Sequence, residues 1–247
     1  MSVDLTSPEV HQTLLRAGVY EMLAMGFAYP EESGLTRLTE VSALVSAEVG
    51  TVAPMLAAMA AAVAEAAQRT DVTALAAEHS RLFSGEVVCS PYETEYETDP
   101  FAKSRQLADI SGFYQAFGMD ISHERRVMAD FIGIETEFMA VLCRKEAHAV
   151  MNGWSDRQEI SLDAQRAFVE SHLGRWFQVF CTELRVNARS DLYLGLADLL
   201  GAFAGMEIAA LGAMPRPLQR RMVSASDSQR PNCDPRVVKP IPEDDST

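Results

Sequence analysis

Phe131-Ile-Gly-Ile-Glu-Thr-Glu-Phe-Met-Ala-Val-Leu142 decides the fold class, because its large apolar residues recur at three- and four-residue intervals. Phe131, Ile134, Phe138, Val141 and Leu142 share one face of a helix, whereas a strand would need alternation. The period predicts a helix from about Arg126 to Val150, where Asn152-Gly153 supplies a stop. Asp130 and Glu137 fall on one polar stripe of that helix, but Glu135 lies against its apolar face. A carboxylate so placed is either hydrogen-bonded inside the fold or kept for a ligand.

The same period recurs on both sides. Toward the N-terminus, Ser7 and Pro8 read as a cap and first helical residue, followed by Leu15, Val19, Met22 and Gly26 until Tyr29-Pro30. Leu35, Leu38, Val41 and Val45 predict a second helix ending at Gly50, and a third runs from about Val52 to Arg69. Asp71 caps a fourth with Leu75, His79, Leu82 and Phe83, closed by Ser84-Gly85. Asp99-Pro100 opens a fifth with Leu107, Ile110, Tyr114 and Phe117, closed by Gly118. Toward the C-terminus, Ser161 begins a helix with Phe168 and Leu173, and Gly174 separates it from one carrying Trp176, Phe180 and Leu184. Asp191 caps the last, with Tyr193, Leu196, Leu200 and Phe203. The fold class expected is all-α: a single-domain bundle of about nine helices over residues 1–214. Pro215, Pro217, Pro231, Pro235, Pro240 and Pro242, mixed with Ser, Asp and Arg, predict a flexible tail over 215–247.

Thirty-five acidic against 21 basic residues give a net charge of −14, which repels phosphate backbones and anionic membrane surfaces but suits a cationic segment. The four cysteines are scattered with no CxxC pair, so no zinc ribbon or redox dithiol is expected and a reducing cytoplasm fits. The first residues lack the basic and apolar regions of a signal peptide. The most apolar stretch, Val52 to Ala67, is broken by Pro54 and Glu65, so no membrane insertion is predicted. No phosphate-binding glycine loop and no GxSxG elbow is present, and the five histidines form neither HExxH nor a Glu-x-x-His pair. The sequence therefore predicts no catalytic residue, no metal and no cofactor.

Two stretches stand out as binding candidates. In Pro91-Tyr-Glu-Thr-Glu-Tyr-Glu-Thr-Asp-Pro100, Tyr and Thr alternate with acids; if extended, it puts carboxylates on one side about 7 Å apart. It is either an edge for an arginine-bearing peptide or a solvated loop. In Asp109-Ile-Ser-Gly-Phe-Tyr-Gln-Ala-Phe-Gly118, Ile110, Tyr114 and Phe117 suit a core, while Asp109 and Phe113 share a neighbouring stripe able to edge a groove. Gly112 within that helix predicts close packing or a bend.

These two stretches, then Asp130 followed by Glu135, Glu137, Phe138 and Met139, then His172-Leu173, Trp176, Phe180 and the Tyr193–Phe203 segment, occur in an order that resembles the TorD/DmsD/NarJ family of molybdoenzyme maturation chaperones. The resemblance covers roughly Leu14 to Met206, and Pro91–Tyr96 is most similar to chaperones of the type II dimethyl-sulfoxide-reductase branch. Phe131 departs from it, since a His often follows the acid there, and the Pro frequent after the family's Trp is missing from Trp176-Phe177-Gln178-Val179.

The resemblance implies a cytoplasmic, non-enzymatic, all-helical protein, monomer or homodimer, without a cofactor of its own. Its partner would be the precursor of a molybdopterin-containing catalytic subunit, bound through the twin-arginine signal peptide and held for cofactor insertion. Glu93, Glu95 and Asp109 would then meet the arginines, and Tyr92, Tyr96, Phe113, Tyr114 and Trp176 would make or border the apolar surface. Asp130 and Glu135 would order the groove or bind polar peptide groups. The other classes compatible with the sequence are a structural subunit of an oxidoreductase complex and a helical-bundle enzyme whose site carries no familiar motif.

Overall fold

The apolar periods become helices throughout the computed structural model, which describes residues 7–50, 53–84, 88–97, 99, 101–121 and 127–218. Nine α-helices occur among the described residues: α1 (Pro8–Phe27), α2 (Glu32–Val49), α3 (Pro54–Arg69), α4 (Val72–Phe83), α5 (Ala102–Ala116), α6 (Ile132–Met151), α7 (Ser155–Ser171), α8 (Leu173–Asn187) and α9 (Asp191–Leu211). Asp71 caps α4 by accepting from the amide of Ala74, and Gly118, Gly153 and Gly212 take positive φ just past α5, α6 and α9.

Four expected boundaries are corrected. The helix expected from Arg126 begins at Ile132, so Asp130 and Phe131 precede it; Phe131 is its extended N-cap, and Arg126 itself lies outside the described residues. Ser161 is interior to α7, which starts six residues earlier on a polar run. The α7–α8 break falls at His172, with Gly174 inside the first turn of α8. A Cβ on Gly174 would lie 2.3 Å from the Val169 carbonyl oxygen, so only glycine fits this close return of the chain. Ser190, not Asp191, caps α9, its hydroxyl accepting from the Leu192 amide. The close packing expected at Gly112 is absent, for a Cβ there would meet no atom within 4 Å.

α1 packs along α6, with α2 on its flank and α3 beyond α2, α7 against α6, and α9 between α3 and α8. Tyr20, Leu23 and Phe27 of α1, Phe138 and Met139 of α6, Trp176 and Phe180 of α8 and Leu196 of α9 are fully buried in one continuous core. Each such side chain is worth roughly 1.5–3 kcal/mol of burial. By length and composition α9 could cross a membrane. Here it buries Leu192, Tyr193, Leu196, Leu200 and Phe203 in the bundle and places Glu207 in an ion pair with Arg16.

That pair belongs to a polar network inside one end of the bundle. Arg16 Nε and Nη2 each lie 2.8 Å from Glu207, Nη1 lies 3.1 Å from Glu146, and Nη2 also donates to Gln165 at 2.6 Å. Gln165 in turn donates to Glu146 at 2.8 Å, so α1, α6, α7 and α9 are tied through one guanidinium.

Residues 215–218, placed in the tail from sequence, lie against the start of α8. Leu218 is partly buried and its amide donates to the Arg175 carbonyl at 2.6 Å. The remainder of the expected tail, 219–247, lies outside the described residues.

Candidate peptide-binding groove

The Pro91–Glu97 segment is not extended. The Glu93 amide donates to the Asp130 carbonyl at 3.1 Å and the Ile132 amide to Pro91 at 2.9 Å, making one antiparallel bridge between Tyr92 and Phe131. The chain then turns through a single 3-10 turn, Glu93–Glu95. Asp130 holds that turn: its Oδ2 accepts from the Thr94 amide at 3.0 Å and the Thr94 hydroxyl at 2.6 Å. The turn abolishes the alternation expected from sequence, and the acids part company. Glu93 points inward and is fully buried, while Glu95 is exposed and pairs with Lys103.

Three carboxyls, Glu93, Asp130 and Glu135, are therefore inside the protein. Glu93 Oε2 lies 3.1 Å from His172 Nδ1, and Arg175 Nη1 stands 3.5 Å from Oε1. His172 Nε2 is 3.2 Å from Oδ2 of the largely exposed Asp109, so the imidazole bridges a buried and a surface acid. Glu135 accepts from the Trp176 indole N–H at 3.0 Å. Burial, reinforced by the charge of Glu93, pushes the Glu135 carboxyl well above the usual carboxylate range, and the Trp176 bond only partly opposes this.

The aromatic candidates are likewise mostly internal. Trp176, Tyr96 and Tyr114 are buried, with Tyr96 5.6 Å from Trp176 between ring centroids. Tyr114 donates its hydroxyl proton to the Ala129 carbonyl at 2.8 Å, and the Tyr96 hydroxyl sits 2.9 Å from both Ser90 O and a Glu183 oxygen. Phe113 is partly buried, edge-on to Phe168 and His172. Glu93, Asp130, Glu135, Tyr96, Tyr114 and Trp176 thus form one internal framework, not a surface for direct contact. Among the ten residues named from sequence, Tyr92 alone lines the groove described next.

That groove, of about 890 Å³, lies between α1, α2, α4, α6 and the Tyr92–Phe131 bridge. One end is aromatic, with Tyr29, Phe83, Tyr92 and Phe131 as walls. His79 sits among Tyr29, Phe83 and Tyr193, 92% buried, and neither of its nitrogens has a hydrogen-bond partner among the described residues. Burial lowers its pKa; the Phe27 carbonyl is near enough to oppose that but not placed to accept a hydrogen bond. The other end is charged, where Arg37 and Arg144 share Glu21. α1 and α6 run in opposite directions along the groove, since Arg144 meets Glu21 while Gly133 packs by the Ala24 carbonyl. Ala28 is seven residues beyond Glu21, so the two ends are about 10 Å apart along α1. Glu31 and Glu137 also line the walls.

Sequence comparison adds the family. The profile described as "Nitrate reductase delta subunit" matches residues 43–182. The perchlorate reductase assembly chaperone protein of Dechloromonas aromatica (strain RCB) is 24% identical over 200 residues, covering 78% of this chain and 88% of that protein. The selenate reductase assembly chaperone protein of Thauera selenatis is 29% identical over 199 residues, covering 79% and 89%. The chaperone protein TorD of Aeromonas salmonicida (strain A449) is 28% identical over 135 residues, covering 55% and 59%. The crystal structure of an Archaeoglobus fulgidus protein described as a redox enzyme maturation protein superposes with a TM-score of 0.48 at 17% identity, over 77% of this chain and 92% of that one. The chain belongs to the nitrate reductase delta subunit family, the TorD/NarJ family of assembly chaperones.

Proposed function

We propose that this protein is a cytoplasmic maturation chaperone that holds the precursor of a molybdopterin-containing catalytic subunit, and that the aromatic end of its groove takes the apolar run of the precursor's twin-arginine leader. The observation that carries the reading is the groove itself: aromatic walls around an imidazole with unmet hydrogen-bonding capacity. Relatives named as assembly chaperones of perchlorate and selenate reductases support the class of client. Glu31, on the same walls, supports pairing with the leader's arginines. The buried framework acts one step back. Asp130 fixes the turn that follows Tyr92, and Glu135 fixes Trp176, which packs against Tyr96.

Apolar burial supplies most of such affinity. About 400 Å² at roughly 25 cal/mol/Å² gives about 10 kcal/mol, set against about 4–15 kcal/mol of lost freedom. Binding from this contribution alone is then weak and reversible, no tighter than about 40 μM, as holding followed by release requires. Calorimetry with an Arg-Arg leader peptide tests the reading. Tyr29→Ser and Tyr92→Ser should each weaken binding about tenfold, the Tyr29 variant with little change in melting temperature because Tyr29 is 60% exposed. Unchanged affinity in both variants would overturn it.

A further inference from the structure

The Arg37 and Arg144 end of the groove is left unused by a leader whose arginines pair with acid on the other walls. Arg37 Nη2 lies 3.2 Å from one oxygen of Glu21 and Arg144 Nη2 bonds the other, so one carboxylate serves two guanidiniums. Each guanidinium has five donors, and neither has a second acceptor among the described residues. An occupant complementary to the whole groove has an apolar run and, about 10 Å further on, acids.

The chain carries such a segment. Residues 235–247 read Pro-Arg-Val-Val-Lys-Pro-Ile-Pro-Glu-Asp-Asp-Ser-Thr, a proline-rich run of apolar residues interrupted by Lys239 and followed directly by Glu243, Asp244 and Asp245. Prolines favour the polyproline II conformation, which aromatic-lined grooves bind. Its rise of about 3.1 Å per residue sets Asp244 about 9 Å from Ile241, close to the spacing between the groove's two ends. The described chain reaches Leu218 beside Arg175, and Arg175 contacts Glu93, the neighbour of the groove residue Tyr92. The connection from Leu218 to Val237 can span up to about 60 Å, ample for the return.

The geometry points to an intramolecular complex in which Val237–Pro242 lies on Tyr29, Tyr92 and Phe131 while Glu243–Asp245 pairs with Arg37 and Arg144. The groove is then self-occupied, and a client leader must displace this segment. The docking stands on the groove and the segment alone; the competition rests on the leader reading above. With an effective concentration of about 1 mM, a segment of about 0.3 mM intrinsic Kd would raise a leader's apparent Kd about fourfold.

The test uses the full chain with a nitroxide on Cys233. Cys89, Cys143 and Cys181 are buried, with thiol pKa values raised chiefly by burial, which directs labelling to Cys233. Paramagnetic broadening of the Gly34 and Tyr92 amides is expected. Arg37→Glu with Arg144→Glu should abolish it, and adding Glu243→Lys, Asp244→Lys and Asp245→Lys should restore it. No broadening in the parent chain, or broadening indifferent to both charge reversals, would overturn the proposal. Ile241→Asp should tighten Arg-Arg leader binding about fourfold. Charge-dependent broadening that survives saturating leader would leave self-docking standing and sink the leader's assignment to this groove.

Discussion

The Trp176 indole N–H donates to Glu135 Oε2 across 3.0 Å, and both residues are closed off from water. A buried carboxylate held mainly by one neutral donor, with Glu93 nearby, has its pKa pushed up by burial, which favours the protonated form of Glu135 in the fold.

Glu135→Gln should therefore behave as a near-isostere at pH 5, within about 1 kcal/mol of the parent. A raised folded pKa gives stability that is present below the unfolded value of about 4.3 and lost as pH rises toward the folded one, at up to about 1.4 kcal/mol per pH unit. Urea unfolding at pH 5, 6.5 and 8 should show the parent losing ground to the Gln variant at each step. A constant difference would mean that Glu135 titrates alike in the folded and unfolded chains.

Glu93 and Glu95 stand two residues apart in an acidic run but should respond oppositely. Glu93→Ala removes the acceptor for His172 and the counter-charge of Arg175, and should cost about 2–4 kcal/mol. Glu95→Ala loses only an exposed pair with Lys103 and should stay within about 0.5 kcal/mol. Scanning calorimetry of the two single variants separates them; equal destabilisation would contradict the turn described above.

The contrast shows what could be read from the residues alone. Helical period located the nine helices, because burial of one face imposes it wherever the helix sits. It misplaced the start of α6 because Phe131 turns its ring into the core whether it belongs to a helix or caps one. It missed the first turns of α7 because Ser155–Ile160 faces solvent and shows no apolar period. Trp176, Tyr96 and Tyr114 pair an apolar ring with a polar atom, and a sequence looks the same whether that atom meets a ligand or a core partner. The partner of Trp176 is 41 residues away. Tyr29, His79 and Phe131 come from three distant segments, so no local pattern could join them into one wall.

His79 carries a second pH signature with the opposite sign. Burial depresses its pKa, so its contribution is present above the unfolded value of about 6.5 and is lost as pH falls toward the folded one. His79→Phe keeps the ring contacts with Tyr29 and Phe83 and removes two nitrogens without a hydrogen-bond partner among the described residues. The variant should match or exceed the parent by about 1 kcal/mol at pH 7.5, with the gap widening by pH 5.5. Parallel stability curves across that range would show that His79 gains a proton as readily in the fold as in the unfolded chain.

Arg16 offers the sharpest stability test, because one guanidinium answers two glutamates that are otherwise buried. Arg16→Met leaves Glu146 and Glu207 facing each other without a cation and should cost about 3–5 kcal/mol. Most of that loss is the penalty of a stranded charge, not the worth of the pair. Adding Glu207→Leu should therefore recover stability instead of subtracting more, with a coupling of about 1–3 kcal/mol in the double-mutant cycle. Arg16→Lys retains the charge but not the fork that meets Glu207 through two nitrogens, so it should fall between parent and Met variant. Additive losses for Arg16→Met and Glu207→Leu would mean that the two side chains act independently and that packing, not this network, holds α1 to α9.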